Sequence, residues 1–414
     1  MNIKGQSRKN IIIFLIALIL GCTSTPETTL QQNSANTPTP HPTSINTTSV
    51  ATLRPTLPVQ VEDRCLSLED SLPPDLQLEG VWVRQSGKPY LENLEENLRY
   101  RIPLDGGAAL HTYNGYWAVS PNGEWLAYLD PILDVSEKIT RTKGLTLRVI
   151  HSSGYFLSMD YWPIDFQTIQ YWVDNENLLL RTDHRNIVLN PFTGKWHEVQ
   201  KPYWLEEKSD GGSWFNPYQY SPRIDYVIEN LEDHSEIKSF VSGESLFGDS
   251  AIGFFGTTSW SPDGTMLFLI TGEGKNVHIL KNDKEILKAN LVEIGVLSKS
   301  IYDYIDSATW SLDNQRLLLD TDMNSLVLDI NENKVYKICF TDKNINKDWI
   351  FGNGFFSSKD GKYIIVKRSL VNEKPYVQRI DILIDIENMR AYRLPEIAYK
   401  DYIGWLALPE TTEK

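Results

Sequence analysis

Three cysteines, seven histidines, one acidic loop and one aromatic-rich segment are the places where this 414-residue chain could do chemistry. Cys22, Cys65 and Cys339 are the thiols: nucleophiles, metal ligands or disulfide partners, according to what surrounds them. The histidines, at 41, 111, 151, 184, 197, 234 and 278, each stand alone and show no metal-ligand spacing, so surface or hydrogen-bonded core positions are expected. Asp320-Thr-Asp322-Met-Asn324 alternates oxygen donors as a calcium loop begins, but lacks the glycine at its sixth place and the acid at its twelfth, Asn331. A hairpin turn is the expected reading there. The segment 201–223 carries Tyr203, Trp204, Trp214, Phe215 and Tyr218 around Gly211 and Gly212. Its rings could stack on sugars or grip an extended peptide, although packing between blades is the expected reading for most of them. No phosphate loop, G-x-S-x-G or H-E-x-x-H occurs, so no catalytic residue, metal or cofactor is assigned.

The N-terminus places these groups. Lys4, Arg8 and Lys9 precede an apolar run from Ile11 to Leu20. This is the charged and apolar pattern of an export signal, with an apolar run of about 15 Å of helix, half of what spans a bilayer. It ends in Ile19-Leu20-Gly21-Cys22, which resembles the lipobox of bacterial lipoproteins. The resemblance implies cleavage after Gly21 and acylation of Cys22; the alternative is an ordinary signal peptide with a chance cysteine. Residues 22–60 are rich in Thr, Pro, Ser, Asn and Gln, with too little apolar surface to order a chain, and are expected to be a disordered tether. Residues 61–414 form the folded domain. The expected location is the cell envelope, with the membrane engaged through N-terminal lipid.

The formal charge is −14, and residues 1–21 hold three basic and no acidic groups, so the remainder stands at −17. Such a body lacks the basic footprint of a nucleic-acid binder, and its dispersed charges suit a soluble monomer. With Cys22 lipidated, Cys65 and Cys339 remain as a pair in an oxidising compartment and are expected to form a disulfide; two unrelated thiols are the alternative.

An internal repeat sets the fold. SWSPDGTMLFL from Ser259, AVSPNGEWLAYL from Ala118, TWSLDNQRLLLD from Thr309 and FSSKDGKYIIVK from Phe356 share one pattern; YSPRIDYVI from Tyr220 and YWVDNENLLL from Tyr171 are weaker copies. Each is a strand, a tight turn and an alternating apolar strand. Proline presets φ, Asp or Asn bonds back to the backbone, and Gly or Asn accepts the left-handed conformation. Hairpins follow each copy, so every unit reads as four strands. Anchored on Ser120, Val173, Ser221, Ser261, Ser311 and Ser358, the units recur at roughly 40–53 residues, as propeller blades do. The signature resembles the TolB-like, WD-repeat-like propellers of bacterial envelopes over about residues 76–410. The expected fold is all-β: a single β-propeller of seven four-stranded blades, with six as the alternative. The seventh blade is expected to combine strands from residues 76–105 with a C-terminal strand around Trp405.

LFGDSAIGFFG from Leu246 superficially resembles the nucleophile block of Gly-Asp-Ser lipases around Ser250. That family needs an Asp-x-x-His pair, which this chain lacks, and the stretch falls just before a blade's inner strand. The expected function is a non-catalytic scaffold that binds an envelope protein or a surface glycan. A glycan-active enzyme with carboxylates in the propeller funnel is the alternative.

Overall fold

The computed structural model describes residues 58–409, apart from 77, 87, 94–97, 102–116, 137–138, 160–165, 183–184, 201, 204–217, 231–234, 248–257, 272–273, 283, 301–302, 322–323, 348–353, 372–376 and 395–400. Cys22 and the segment 22–57 therefore lie outside the described residues, as do Trp204, Trp214, Phe215 and Ser250.

Every described element is a strand, and the strands make a β-propeller. Six sheets are each built from consecutive strands: blade 1 (Trp117–Met159), blade 2 (Phe166–Glu198), blade 3 (Tyr218–Phe247), blade 4 (Thr258–Asn290), blade 5 (Ile305–Phe340) and blade 6 (Phe355–Arg393). A further sheet closes the ring. In it Asp401–Leu406 pairs with Val81–Ser86, which continues into Lys88–Asn93 and Leu98–Arg101. These three strands are thus part of the ring rather than an appendage to it.

The repeat owes its shape to one serine. Ser120, Ser221, Ser261, Ser311 and Ser358 each accept, at Oγ, a hydrogen bond of 2.9–3.0 Å from the backbone N–H five residues on. The first four also donate to the turn's own Asn122, Asp225, Asp263 or Asp313. The left-handed place is filled by Gly123, Gly264, Asn314 and Gly361, whose φ values lie between 60° and 78°. Blade 3 puts Ile224 there at φ 59°, an uncommon demand on a β-branched residue. Neighbouring turns interlock around the ring: Asn122 N–H donates to Asn175, Arg223 to the Asp263 carbonyl, Asp263 N–H to Asn314, and Arg316 to the Gly361 carbonyl. Ala407 N–H donates to the Gly123 carbonyl across the closure.

Buried charge pins the closing sheet. Arg84 is 1 % exposed, bonds Glu92 at 2.6 Å and lies 4.3 Å over the Tyr402 ring, which meets Trp82 edge-on. Gly80 has φ 113°, and a Cβ there would sit 2.3 Å from the Trp405 indole, so this approach requires glycine. Between blades 5 and 6, the Asp320 carboxylate accepts from Ser325 and from Gly354 N–H, while Arg368 donates to Ser325. Burial lowers the Arg368 pKa, and Asp320 opposes that shift. Thr321 N–H meets the Asn324 carbonyl, and the strands on either side pair antiparallel, as the hairpin expected from the sequence requires.

The N-terminal chain straps the outside. Gln60–Leu66 pairs in parallel with Lys334–Phe340, the outer strand of blade 5, and Leu68–Glu69 adds to the outer strand of blade 6. Cys65 stands opposite Cys339, and the two are bonded, with Cα atoms 4.4 Å apart.

Glu92→Ala leaves the Arg84 guanidinium buried beside an aromatic ring with its carboxylate gone. A loss of about 3–5 kcal/mol is expected in urea unfolding. A loss under 1 kcal/mol contradicts the role given to this pair.

Candidate functional site

Strand order defines two faces. The serine turns join first to second strands, and the turns between third and fourth strands return to the same end, because every pairing within a blade is antiparallel. Hydrogen bonds run from blade to blade across this turn face.

A channel of about 370 Å³ opens among the inner strands at this face. Its described lining includes Trp117, Trp172, Trp260 and Trp310, with Gln170, Ser259 and Thr309, and holds no charged side chain. The indoles also serve the ring: Trp172 donates to the Ala118 carbonyl and Trp310 to the Ser259 carbonyl, each on the preceding blade. Tyr171 lines the channel too, and burial pushes its phenol up to about 12, so it stays neutral. Glycoside hydrolysis needs two carboxylates flanking one bond. The described channel lining supplies none. Among the described residues, no group of three His, Cys, Asp or Glu could hold a metal ion.

Beside the channel, across the seam of blades 1 and 2, aromatic rings reach solvent. Trp125 follows the blade 1 serine turn and contacts His151 at 4.5 Å, Phe192 at 4.7 Å and Tyr155 at 6.2 Å between centroids. Tyr155 is 58 % exposed and Phe192 37 %. Ser153 Oγ lies 2.8 Å from His151 Nδ1, and the Glu124 carboxylate lies 3.7 Å from Nε2. The rings hold one another in place, so little rotamer freedom remains for a ligand to quench. Flat carbon faces beside hydroxyl, imidazole and carboxylate groups suit the alternating apolar and polar faces of a sugar ring.

The aromatic segment singled out in the sequence is a different group, and its Trp204, Trp214 and Phe215 lie outside the described residues. Tyr203 is 86 % exposed, but it follows the outer strand of blade 2 and so sits at the face opposite the serine turns. Tyr218 belongs to the inner strand of blade 3, and Tyr220 beside it is buried against Phe240. The seam cluster is missed because Trp125, Tyr155 and Phe192 come from three separate turns. Its one signal in the chain is the bulky residue five places after the serine.

His278 has an arrangement its isolated position conceals. Its Nε2 lies 2.9 Å from Thr271 Oγ1 and its Nδ1 2.6 Å from Glu285. Hydroxyl, imidazole and carboxylate are in the order of an activated nucleophile. Thr271 is 7 % exposed and His278 4 %, which leaves no approach for a substrate, so the array serves as a satisfied core histidine.

No protein family matches the sequence, and no curated protein matches it closely. Solved structures are similar in fold. A periplasmic gluconolactonase of Pseudomonas aeruginosa is 12 % identical, with 80 % of this chain and 99 % of that one covered at a TM-score of 0.46. A β-propeller domain from Myceliophteria thermophila is 9 % identical, over 76 % and 99 %, at 0.40. The tricorn protease is 10 % identical over 74 % of this chain at 0.31, and the chain spans 28 % of its length. The likeness is one of architecture.

Asp263 reports on the integrity of the turn face. Partial burial opposes its ionisation, but hydrogen bonds from Thr265 and Ser261 and the charge of Arg223 outweigh it, so its pKa is lowered. A depressed carboxylate contributes stability above its unfolded pKa and loses it as pH falls, here below about pH 4. Asp263→Asn is expected to flatten part of that acid limb in melting temperature against pH. An unchanged limb contradicts the assignment.

Proposed function

We propose that this protein is a non-catalytic scaffold of the cell envelope, anchored by lipid on Cys22 and held out on the Thr/Pro-rich tether that follows it, whose turn face binds a surface glycan. The observation that carries the reading is the solvent-facing ring cluster of Trp125, Tyr155 and Phe192 beside an uncharged channel. The acidic body disfavours anionic polymers, so the ligand is a neutral or amine-bearing glycan. The lipobox-like Ile19–Cys22 and the Thr/Pro-rich stretch after it support the anchor.

Both halves can be tested. In binding assays against neutral envelope polysaccharides, Tyr155→Ala is expected to weaken binding about 2- to 10-fold, the worth of one aromatic stack. Because Tyr155 is mostly exposed, its melting temperature should hardly move. Capture of a protein partner, unaffected by Tyr155→Ala and with no polysaccharide bound, would sink the glycan reading. For the anchor, Cys22→Ser should abolish incorporation of a labelled fatty acid and release the protein from the membrane fraction. Retention of label contradicts Cys22 as its site.

A further inference from the structure

The strap and its bridge are placed where they would govern how the ring responds to tension. Closure depends on Val81–Ser86 pairing with Asp401–Leu406, and Val81–Ser86 is the direct continuation of the N-terminal chain. Any pull on that chain travels toward the closure. Strands Gln60–Leu66 and Leu68–Glu69 would peel first, then residues 70–80, and the next strand on the path is the one that holds the ring shut.

Cys65–Cys339 diverts this path. It joins the strap to the outer strand of blade 5 near the end of the seven-residue ladder, upstream of everything that leads to the closing sheet. The strap's direction adds to the effect. Gln60 lies opposite Lys334, just after the blade 5 turn, so the chain enters at the turn face, and tension directed away from that face runs along the strand. Ladder hydrogen bonds lie across the strands, so such a pull loads them together rather than one after another. Flanking contacts reinforce the seat: Val59 and Val61 pack on the core shared by blades 4 and 5, and Leu66 is buried between blades 5 and 6. Cys65 itself is exposed, within reach of soluble reductant.

We propose that the strap and the Cys65–Cys339 bridge form a load-bearing clasp, which delivers tension from the N-terminal chain to blade 5 and keeps it from the closing sheet. The proposal rests on the anchored reading for the source of the tension. Its geometry stands on the described residues.

Optical tweezers test it on the full-length chain. One DNA handle is coupled to the tether, and the other to an azide-bearing amino acid in place of Glu176, an exposed turn residue of blade 2. In the oxidised protein no release longer than roughly 20 Å is expected before the ring itself unfolds, since at most the residues ahead of Cys65 come free. With dithiothreitol, an earlier and longer step is expected as residues 60–80 pay out, bounded by their extended length of roughly 70 Å less the span they already cover, and the closing sheet should then open at lower force. The Cys65→Ser/Cys339→Ser protein should reproduce the reduced trace and separates the bridge from other effects of the reductant. The early step in oxidised protein, or its absence from both reduced and double-serine protein, overturns the clasp. Fatty-acid labelling of Cys22 is read separately, so a failed anchor and a failed clasp are told apart.

Discussion

A propeller stands or falls with the join between its two chain ends, and here that join is one antiparallel pairing, Asp401–Leu406 against Val81–Ser86. A sheet of this kind has no spare edge to lose: if the last strand leaves, the inner wall of the ring opens. The surrounding residues are fitted to that demand. The Arg84–Glu92 pair under Tyr402 makes separation expose a buried charge, and Gly80 admits the Trp405 indole that seals the junction. Placing charge in this seam costs desolvation energy, which a tight pairing and an overlying ring offset.

Around the rest of the ring a smaller device is repeated. A serine hydroxyl organises five of these turns, and bonds join the turns of blades 1 and 2, 3 and 4, 4 and 5, and 5 and 6, so much of the face is linked by short polar contacts over an apolar interior. This explains why a face made of turns can be held together, and why binding groups can be displayed there without secondary structure of their own. Blade 2 shows how far the device can vary. Its turn has no serine, and the Asp174 carboxylate takes the backbone N–H groups of Glu176 and Asn177 instead.

Much of this was legible in the sequence because local rules wrote it. The turn motif and the alternation after it mark each blade, and the odd C-terminal strand around Trp405 shows that the first three strands lack an inner partner. The disulfide follows once Cys22 is set aside as the expected lipid site, because Cys65 and Cys339 are then the pair that remains. What the sequence does not show are contacts that leave no mark in residue type or pattern. Parallel addition of Gln60–Leu66 to blade 5 has no local signature, since it depends on which edge lies in reach. The ring cluster at blades 1 and 2 draws one residue from each of three turns. The aromatic-rich 201–223 segment, conspicuous as a run, places its Tyr203 at the other end of the ring.

The strap also breaks the ring's rotational likeness. Counting the sheets in order, blade 5 lies three steps from blade 1 in one direction and three from blade 2 in the other, so the chain enters at one end of a diameter whose other end is the Trp125 seam. A ring gripped at one rim and held at the opposite rim is oriented by its two contacts, along the line that joins them. Under the proposed anchoring and binding, the contact at the Trp125 seam would also set the angle at which the ring lies.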